Sequence, residues 1–225
     1  MFRAVVLLVV GASGVCAQTF TESARAAVGV QVEAGAAVET NGEQVDLSGP
    51  EGLLLWGVRP GLELRFGLPD YVAADIRGDR TGGVADAAVG VKAEIATAAG
   101  WAFGVLAEVS VPLSDGGAVS PLLLLLAERE VGSVTVGVQA EGLWDRALSR
   151  LDVGGVVLGQ IPLGGLFAAF GEVAANQTAA GPVLALHNGY LWQVLPALQL
   201  DVRVGTGLTD AAPTVFGGVG LRAAL

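Results

Sequence analysis

The sequence predicts an all-β protein, an antiparallel transmembrane β-barrel of about twelve strands. Three observations favour this class. The chain of 225 residues is 52% hydrophobic but only 15% charged, whereas a soluble domain usually carries about 25% charged residues. Apolar residues alternate with other residues at a period of two along most of the chain, which is typical of strands. The 34 glycines disfavour a helical bundle, because each glycine costs a helix about 1 kcal/mol relative to alanine.

The first 17 residues have the organisation of a secretory signal peptide. A basic start precedes a short apolar segment, and Val15-Cys16-Ala17 fits a cleavage site with Gln18 as the first mature residue. The segment is too short for a membrane-spanning helix and lacks a stop-transfer flank. Lipidation of Cys16 is the alternative interpretation, which the preceding valine disfavours. Cleavage would leave residues 18–225 as a single barrel domain without cysteine, so no disulfide would stabilise it.

Twelve segments carry a strand pattern, and together they cover most of the mature chain. The alternation is clearest at the start, where every even position from 24 to 38 is alanine or valine. The intervening positions include Arg25, Gln31, Glu33 and Glu39. In chain order, the predicted strands run through residues 24–39, 53–58, 62–68, 89–95, 101–111, 122–127, 134–141, 148–158, 166–174, 183–192, 198–205 and 219–225.

Short and long connections alternate between these segments. Short turns are predicted at residues 59–61, 97–100, 128–132, 160–162 and 195–197, and longer links at residues 40–50, 69–83, 112–120, 142–147, 175–181 and 208–213. Barrels of the bacterial outer membrane have short periplasmic turns, long extracellular loops and an even number of strands. The pattern therefore predicts a bacterial outer-membrane location with both termini in the periplasm.

The period of two does not by itself distinguish a lipid-facing barrel from a soluble barrel with an apolar interior. The apolar face is almost free of charge, as lipid requires, because a Lys or Arg at the bilayer midplane costs about 2–4 kcal/mol. We therefore expect lipid against the apolar face and a watery lumen inside. Aromatic residues make up only 6% of the chain, which is low for the interfacial girdles of such barrels. Residues near strand ends that could form a thin girdle are Trp56, Tyr71, Trp101, Tyr190 and Trp192.

Charged residues on the polar side of the alternation are the candidate lumen lining. They are Glu33, Glu63, Arg65, Lys92, Glu94, Glu108, Glu141, Asp152, Glu172, Asp201 and Arg203. One interpretation is a cross-strand network of ion pairs that fills the lumen. The other is a pore lining whose acidic excess favours cations or neutral solutes over anions. The two interpretations overlap, since a narrow barrel can do both.

Several stretches resemble a known family. They are GLELRFGLPDY at residues 61–71, GVADAAVGVKAEI at 83–95, VSVPLSDG at 109–116 and LQLDVRVGTGLTDAAP at 198–213. Their order and spacing are similar to the outer-membrane transporter family often labelled meta-pathway of phenol degradation proteins, and the last stretch is the most specific. The resemblance implies an outer-membrane channel for small compounds, often aromatic or hydrophobic. The chain departs from the family pattern at Ala93-Glu94 and at Leu225, where a terminal phenylalanine is usual.

The residues do not predict an enzyme, a cofactor or a metal site. His187, the one histidine, stands beside Asn188 without a serine motif, so a structural or lumen-facing role is favoured over a catalytic one. No cluster has metal-ligand spacing, and no glycine-rich loop precedes a helix to bind phosphate. A net charge of −10 argues against nucleic acid.

We therefore predict an outer-membrane channel for the passive uptake of small solutes, aromatic or hydrophobic ones among them. The alternative is a closed structural barrel with a plugged lumen. The expected partners are outer-membrane lipid and a small-molecule solute, and the sequence leaves the oligomeric state open.

Overall fold

The computed structural model describes residues 22–113, 119–145 and 148–225, so the predicted signal peptide, residues 1–17, lies outside the described residues. The described residues form fourteen strands. These are β1 Val30–Thr40, β2 Gln44–Arg59, β3 Leu62–Leu68, β4 Tyr71–Ile76, β5 Asp79–Val84, β6 Ala87–Ala98, β7 Trp101–Val111, β8 Ser120–Val131, β9 Val134–Asp145, β10 Arg150–Gly164, β11 Phe167–Thr178, β12 Gly181–Leu195, β13 Leu198–Gly207 and β14 Val215–Ala224. In this part of the chain, no helix is long and apolar enough to cross a membrane.

Twelve of the described strands close into an antiparallel barrel. Most strands pair with their neighbours in the chain, and β3 pairs with β6 because the β4–β5 hairpin lies between them. β1 pairs with β14 on one side and with β2 on the other, which closes the sheet. The predicted fold class, an antiparallel barrel of about twelve strands, is confirmed.

Strands β4 and β5 form a hairpin that extends the wall on one side. β4 pairs with residues 44–49 of β2, while β3 pairs with residues 52–59 of the same strand. Exposed ion pairs join Arg77 to Glu43 and Arg80 to Asp75. The hydrogen bond from Arg80 lowers the pKa of Asp75. The long link predicted over residues 69–83 therefore contains two strands of its own.

The structure corrects several predicted boundaries. The links predicted at residues 40–50 and 175–181 are mostly strand, and only 41–43 and 179–180 connect the strands there. The turn predicted at 160–162 is wrong, because β10 continues to Gly164. Gln160 pairs with Thr135 on one side and with Phe170 on the other. Ladder pairing with both neighbours therefore overrides the local turn signal of a proline.

The two faces of the wall differ as the alternation predicts. On β6, Val89 and Val91 are exposed, while Gly90 and Lys92 are buried. Other outward side chains include Leu186, Val202 and Val219, which are 42–56% exposed. Since the wall is a single layer, side chains buried opposite this apolar face lie in the lumen. An apolar outer band is what a barrel presents to lipid.

The inner face is not wholly polar. Leu106 on β7 and Leu122, Leu124 and Leu126 on β8 are buried and form one apolar cluster with Ala102. Leu158, Phe170 and Leu191 form a second cluster on β10, β11 and β12. The lumen therefore has apolar patches beside its charged groups.

Aromatic side chains lie near the ends of the outer band. Connections at residues 60–61, 99–100, 132–133, 165–166 and 196–197 define the turn end of the barrel, and the opposite end is the loop end. At the turn end, Phe167 and Trp192 stack with ring centroids 5.8 Å apart, and Trp56 is exposed. Tyr71 and Trp144 are exposed toward the loop end. These positions fit two thin interfacial girdles.

The outward facing of Val91 predicts intolerance of charge. Val91→Arg should make folding into lipid less favourable by about 2–4 kcal/mol, because the position lies near the middle of β6. Urea titration of the refolded protein in vesicles measures the loss. Val84→Arg, the same change on the β5 hairpin, is the control and should alter stability little. Equal losses at both positions would contradict a lipid-facing wall.

The two ends of the barrel should differ in their access from outside the cell. Cys16, the single cysteine of the chain, lies in the predicted signal peptide. Changing it to serine leaves single labels at chosen positions, and we expect Thr81→Cys in β5 to react with a membrane-impermeant maleimide on intact cells. Ser133→Cys at the turn end should react only after the cells are broken open. Labelling of Ser133→Cys on intact cells would contradict periplasmic turns.

Candidate functional site

The structure places most of the predicted lining residues in the lumen. Nine of the eleven are buried, namely Glu33, Glu63, Arg65, Lys92, Glu108, Asp152, Glu172, Asp201 and Arg203. Glu141 is partly buried, and Glu94 is exposed near the turn end. Their proposed role in conduction stays a prediction.

Residues 22–29 do not extend β1 but run inside the barrel from its turn end. Ala24 is completely buried and packs with the apolar cluster around Leu106. The amide of Gly57 on β2 donates to the carbonyl oxygen of Gly29 at 2.7 Å. The strand predicted from residue 24 is therefore wrong over residues 24–29. We call residues 22–29 the inner segment.

Side chains of the wall bind the backbone of the inner segment. The amide of Glu22 donates to Gln139 Oε1 at 3.0 Å, that of Ala26 to Glu94 Oε1 at 2.9 Å, and that of Ala27 to Glu63 Oε2 at 2.6 Å. The Ser23 hydroxyl also donates to Glu128 Oε2 at 2.8 Å. These bonds replace the ladder that the alternating sequence would otherwise form, because buried backbone amides need acceptors.

An ion-pair cluster holds the tip of the inner segment. Both terminal nitrogens of Arg65 donate to the carboxylate of Glu22, each at 2.7 Å. Lys92 Nζ lies 3.6 Å from the same carboxylate. Glu63 lies 3.5 Å from Arg65 and 3.4 Å from Lys92. A two-pronged arginine–carboxylate contact is the strongest geometry for such a pair, and breaking a buried pair costs about 3–5 kcal/mol.

Two wall glycines make room for the inner segment. A Cβ on Gly104 would lie 2.5 Å from the carbonyl oxygen of Ala24, closer than atoms approach without displacement. A Cβ on Gly57 would overlap the carbonyl oxygen of Ala27. The wall and the inner segment are therefore complementary in shape as well as in charge.

A second charged group lies on β13, β14, β1 and β2, next to β3 in the closed sheet. Arg222 donates to Glu33 across β14 and β1, and Arg203 lies 3.5 Å from Glu51 on β2. Both carboxylate oxygens of buried Asp201 make no hydrogen bond within the described part of the chain.

His187 has a structural setting in the lumen. Its Nδ1 lies 2.6 Å from Glu172 Oε2, and both residues are buried. The rings of Phe170 and Phe216 flank the imidazole at centroid distances of 5.3 and 5.7 Å. Among the described residues, no group of three His, Cys, Asp or Glu side chains could hold a metal ion.

Sequence reasoning missed Glu22, Glu51, Gln139 and Arg222. Gln139 shares the polar face of β9 with Glu141, and Arg222 alternates with Leu221 and Ala223 on β14, so the period of two could have found both. Glu22 precedes the first alternating segment, and no pattern marks it as a partner of Arg65 on β3. Only the tertiary path of the inner segment brings them together.

Sequence comparisons give no assignment: no protein-family model matches this chain, and no curated protein is significantly similar to it. Solved structures do share its architecture. An outer membrane channel from Pseudomonas putida F1 has a TM-score of 0.63 at 12% identity, covering 88% of this chain and 96% of that one. The KdgM porin in complex with disordered oligogalacturonate has a TM-score of 0.61 at 8% identity, covering 87% and 99%. The NanC porin has a TM-score of 0.55 at 11% identity, covering 87% and 100%.

Identities this low show the fold alone. That fold is the porin-like barrel that bacterial outer-membrane channels use, which confirms the predicted class at the level of architecture. The more specific resemblance to phenol-degradation proteins stays a prediction.

The fit between Gly104 and Ala24 predicts that added bulk displaces the inner segment. Gly104→Val should lower the melting temperature, at a cost of about 1–3 kcal/mol for overpacking. Trypsin should also cut after Arg25 faster, because Arg25 leaves its contact with Glu128. Gly159→Val is the matched control, since nothing lies within 4 Å of a Cβ there. Unchanged cleavage after Arg25 in the Gly104 variant would contradict the packing described above.

Proposed function

We propose that this protein is a bacterial outer-membrane channel for the passive uptake of small solutes, and that the inner segment narrows its lumen at the turn end. The observation that carries the proposal is the charged lumen inside a porin-like barrel with an apolar outer face. A structural barrel could fill its interior with apolar side chains. Buried charges cost free energy unless they are paired, so their retention here fits a water path.

The acidic excess of the lumen favours cations and neutral solutes over anions. Glu108 and Asp201 are buried, and their carboxylate oxygens accept no hydrogen bond within the described residues. Arg65 Nε lies 3.9 Å from Glu108, beyond hydrogen-bonding distance. Where water solvates these carboxylates they ionise, and they then set a negative potential along a narrow path.

Small aromatic or hydrophobic compounds are the solute class that we propose. The apolar clusters around Leu106 and Leu158 support this class, because they line the lumen beside the charged groups. The KdgM porin was solved with oligogalacturonate. Because its sequence identity to this chain is only 8%, we do not propose the same solute here.

A closed structural barrel is the second candidate. It is favoured by the inner segment itself, whose buried Glu22 is bound by Arg65 and Lys92 inside the barrel. The channel and the closed barrel differ in whether ions cross the refolded protein.

Neutralising Glu108 and Asp201, whose carboxylates accept no hydrogen bond within the described residues, distinguishes the channel from the closed barrel. Glu108→Gln with Asp201→Asn should shift the reversal potential in a planar bilayer toward anions and leave the melting temperature nearly unchanged. The reason is that neither carboxylate has a hydrogen bond to lose.

Glu33→Gln is the control for a paired carboxylate, because Glu33 forms a hydrogen-bonded ion pair with Arg222. It should lower the melting temperature. A double variant that loses stability without any shift in selectivity would instead support the closed barrel.

A further inference from the structure

We propose that Arg65 and Lys92 form a binding subsite for small apolar carboxylates and that Glu22 occupies it as a ligand supplied by the chain itself. This inference rests on the proposed channel function, since a solute must reach the lumen. The site is built by the wall, and its present occupant comes from the inner segment.

The geometry around Glu22 is that of ligand recognition. Its carboxylate accepts two parallel hydrogen bonds of 2.7 Å from Arg65, and Lys92 Nζ approaches one of its oxygens at 3.6 Å. Arg65 and Lys92 are both buried on adjacent strands of the wall, β3 and β6. A rigid guanidinium fork selects a planar carboxylate. Any molecule with that group can make the same contacts.

The hydrogen bonds of Arg65 support exchange of the occupant. Without Glu22, the local group consists of the cations Arg65 and Lys92 with the wall carboxylates Glu63 and Glu108. Glu63 lies between the two cations, and Glu108 stays 3.9 Å from Arg65. Removal of Glu22 takes away the acceptor of two hydrogen bonds that Arg65 donates. The carboxylate of an external ligand can accept the same two bonds, which makes it a substitute for Glu22.

The surroundings of Ala24 indicate that the rest of the ligand is apolar. The methyl group of Ala24 lies in the apolar cluster of Leu106, Leu122 and Leu124. Ala24 is two residues after Glu22 in the chain, so their Cα atoms are at most about 7 Å apart. The inner segment thus presents a carboxylate next to an apolar group, and a short monocarboxylate reproduces both parts. The leucine cluster disfavours a sugar acid, whose hydroxyls would be buried without partners.

Occupation by Glu22 should weaken the binding of an external ligand. When only a fraction of the molecules is competent to bind, the apparent Kd equals the intrinsic Kd divided by that fraction. Glu22→Gln keeps the size of the side chain and removes its charge. It also leaves every wall residue intact, so the barrel should still fold.

Calorimetry on refolded protein in lipid nanodiscs tests the subsite directly. Hexanoate is the probe, hexanamide is its neutral counterpart, and acetate lacks the apolar body. We expect hexanoate to bind Glu22→Gln about tenfold more tightly than the unmodified chain, with no gain for hexanamide and a smaller gain for acetate. Adding Lys92→Gln to Glu22→Gln should remove most of the gain. Glu43→Gln, the same change in the exposed hairpin, should bind like the unmodified chain.

The possible outcomes test the subsite and the channel function separately. A folded Glu22→Gln protein that binds hexanoate no better than hexanamide would overturn the subsite, even if it conducts ions. Tight hexanoate binding by a protein that never conducts would support the subsite and refute the channel.

Discussion

Closure of the sheet is the constraint on which the rest of the structure depends. In lipid, every backbone amide and carbonyl must find a partner within the protein, so a membrane-crossing sheet cannot keep an open edge. β1 meets this requirement by pairing with β14 along ten residues and with β2 on its other side. The period of two follows from closure, because one face of every strand then meets lipid and the other meets the lumen.

Closure also explains why the lumen is crowded. Small barrels are filled by their own side chains, and here long charged side chains and the inner segment share the space. Arg65 would be expensive to bury alone, and Glu22 and Glu63 compensate its charge. Glycines at positions 57 and 104 leave the volume that the inner segment needs. Charge pairing and shape together fix the segment in the channel that we propose.

The sequence predicted the features that repeat and missed those that occur once. The alternation of apolar residues with polar ones such as Lys92 and Glu63 predicts the strands, their facing and the barrel class. The β4–β5 hairpin was read as a loop, because its pairing with β2 is a tertiary contact without a strong apolar signal. The path of residues 22–29 was read as strand, since Ala24 to Val28 alternate as well as β1 does. Their path is decided by acceptors on distant strands, such as Glu63 and Gln139, which no local pattern reveals.

The central claim is that a conducting lumen is narrowed by its own inner segment. Single-channel recording tests it most directly, by comparing the refolded mature chain with a chain shortened to begin at Gly29. We expect small, discrete conductance steps for the mature chain and clearly larger steps for the shortened one, because the lumen then loses the residues bound to Arg65 and Glu63. Equal conductance in the two chains, or none in either, would contradict the account.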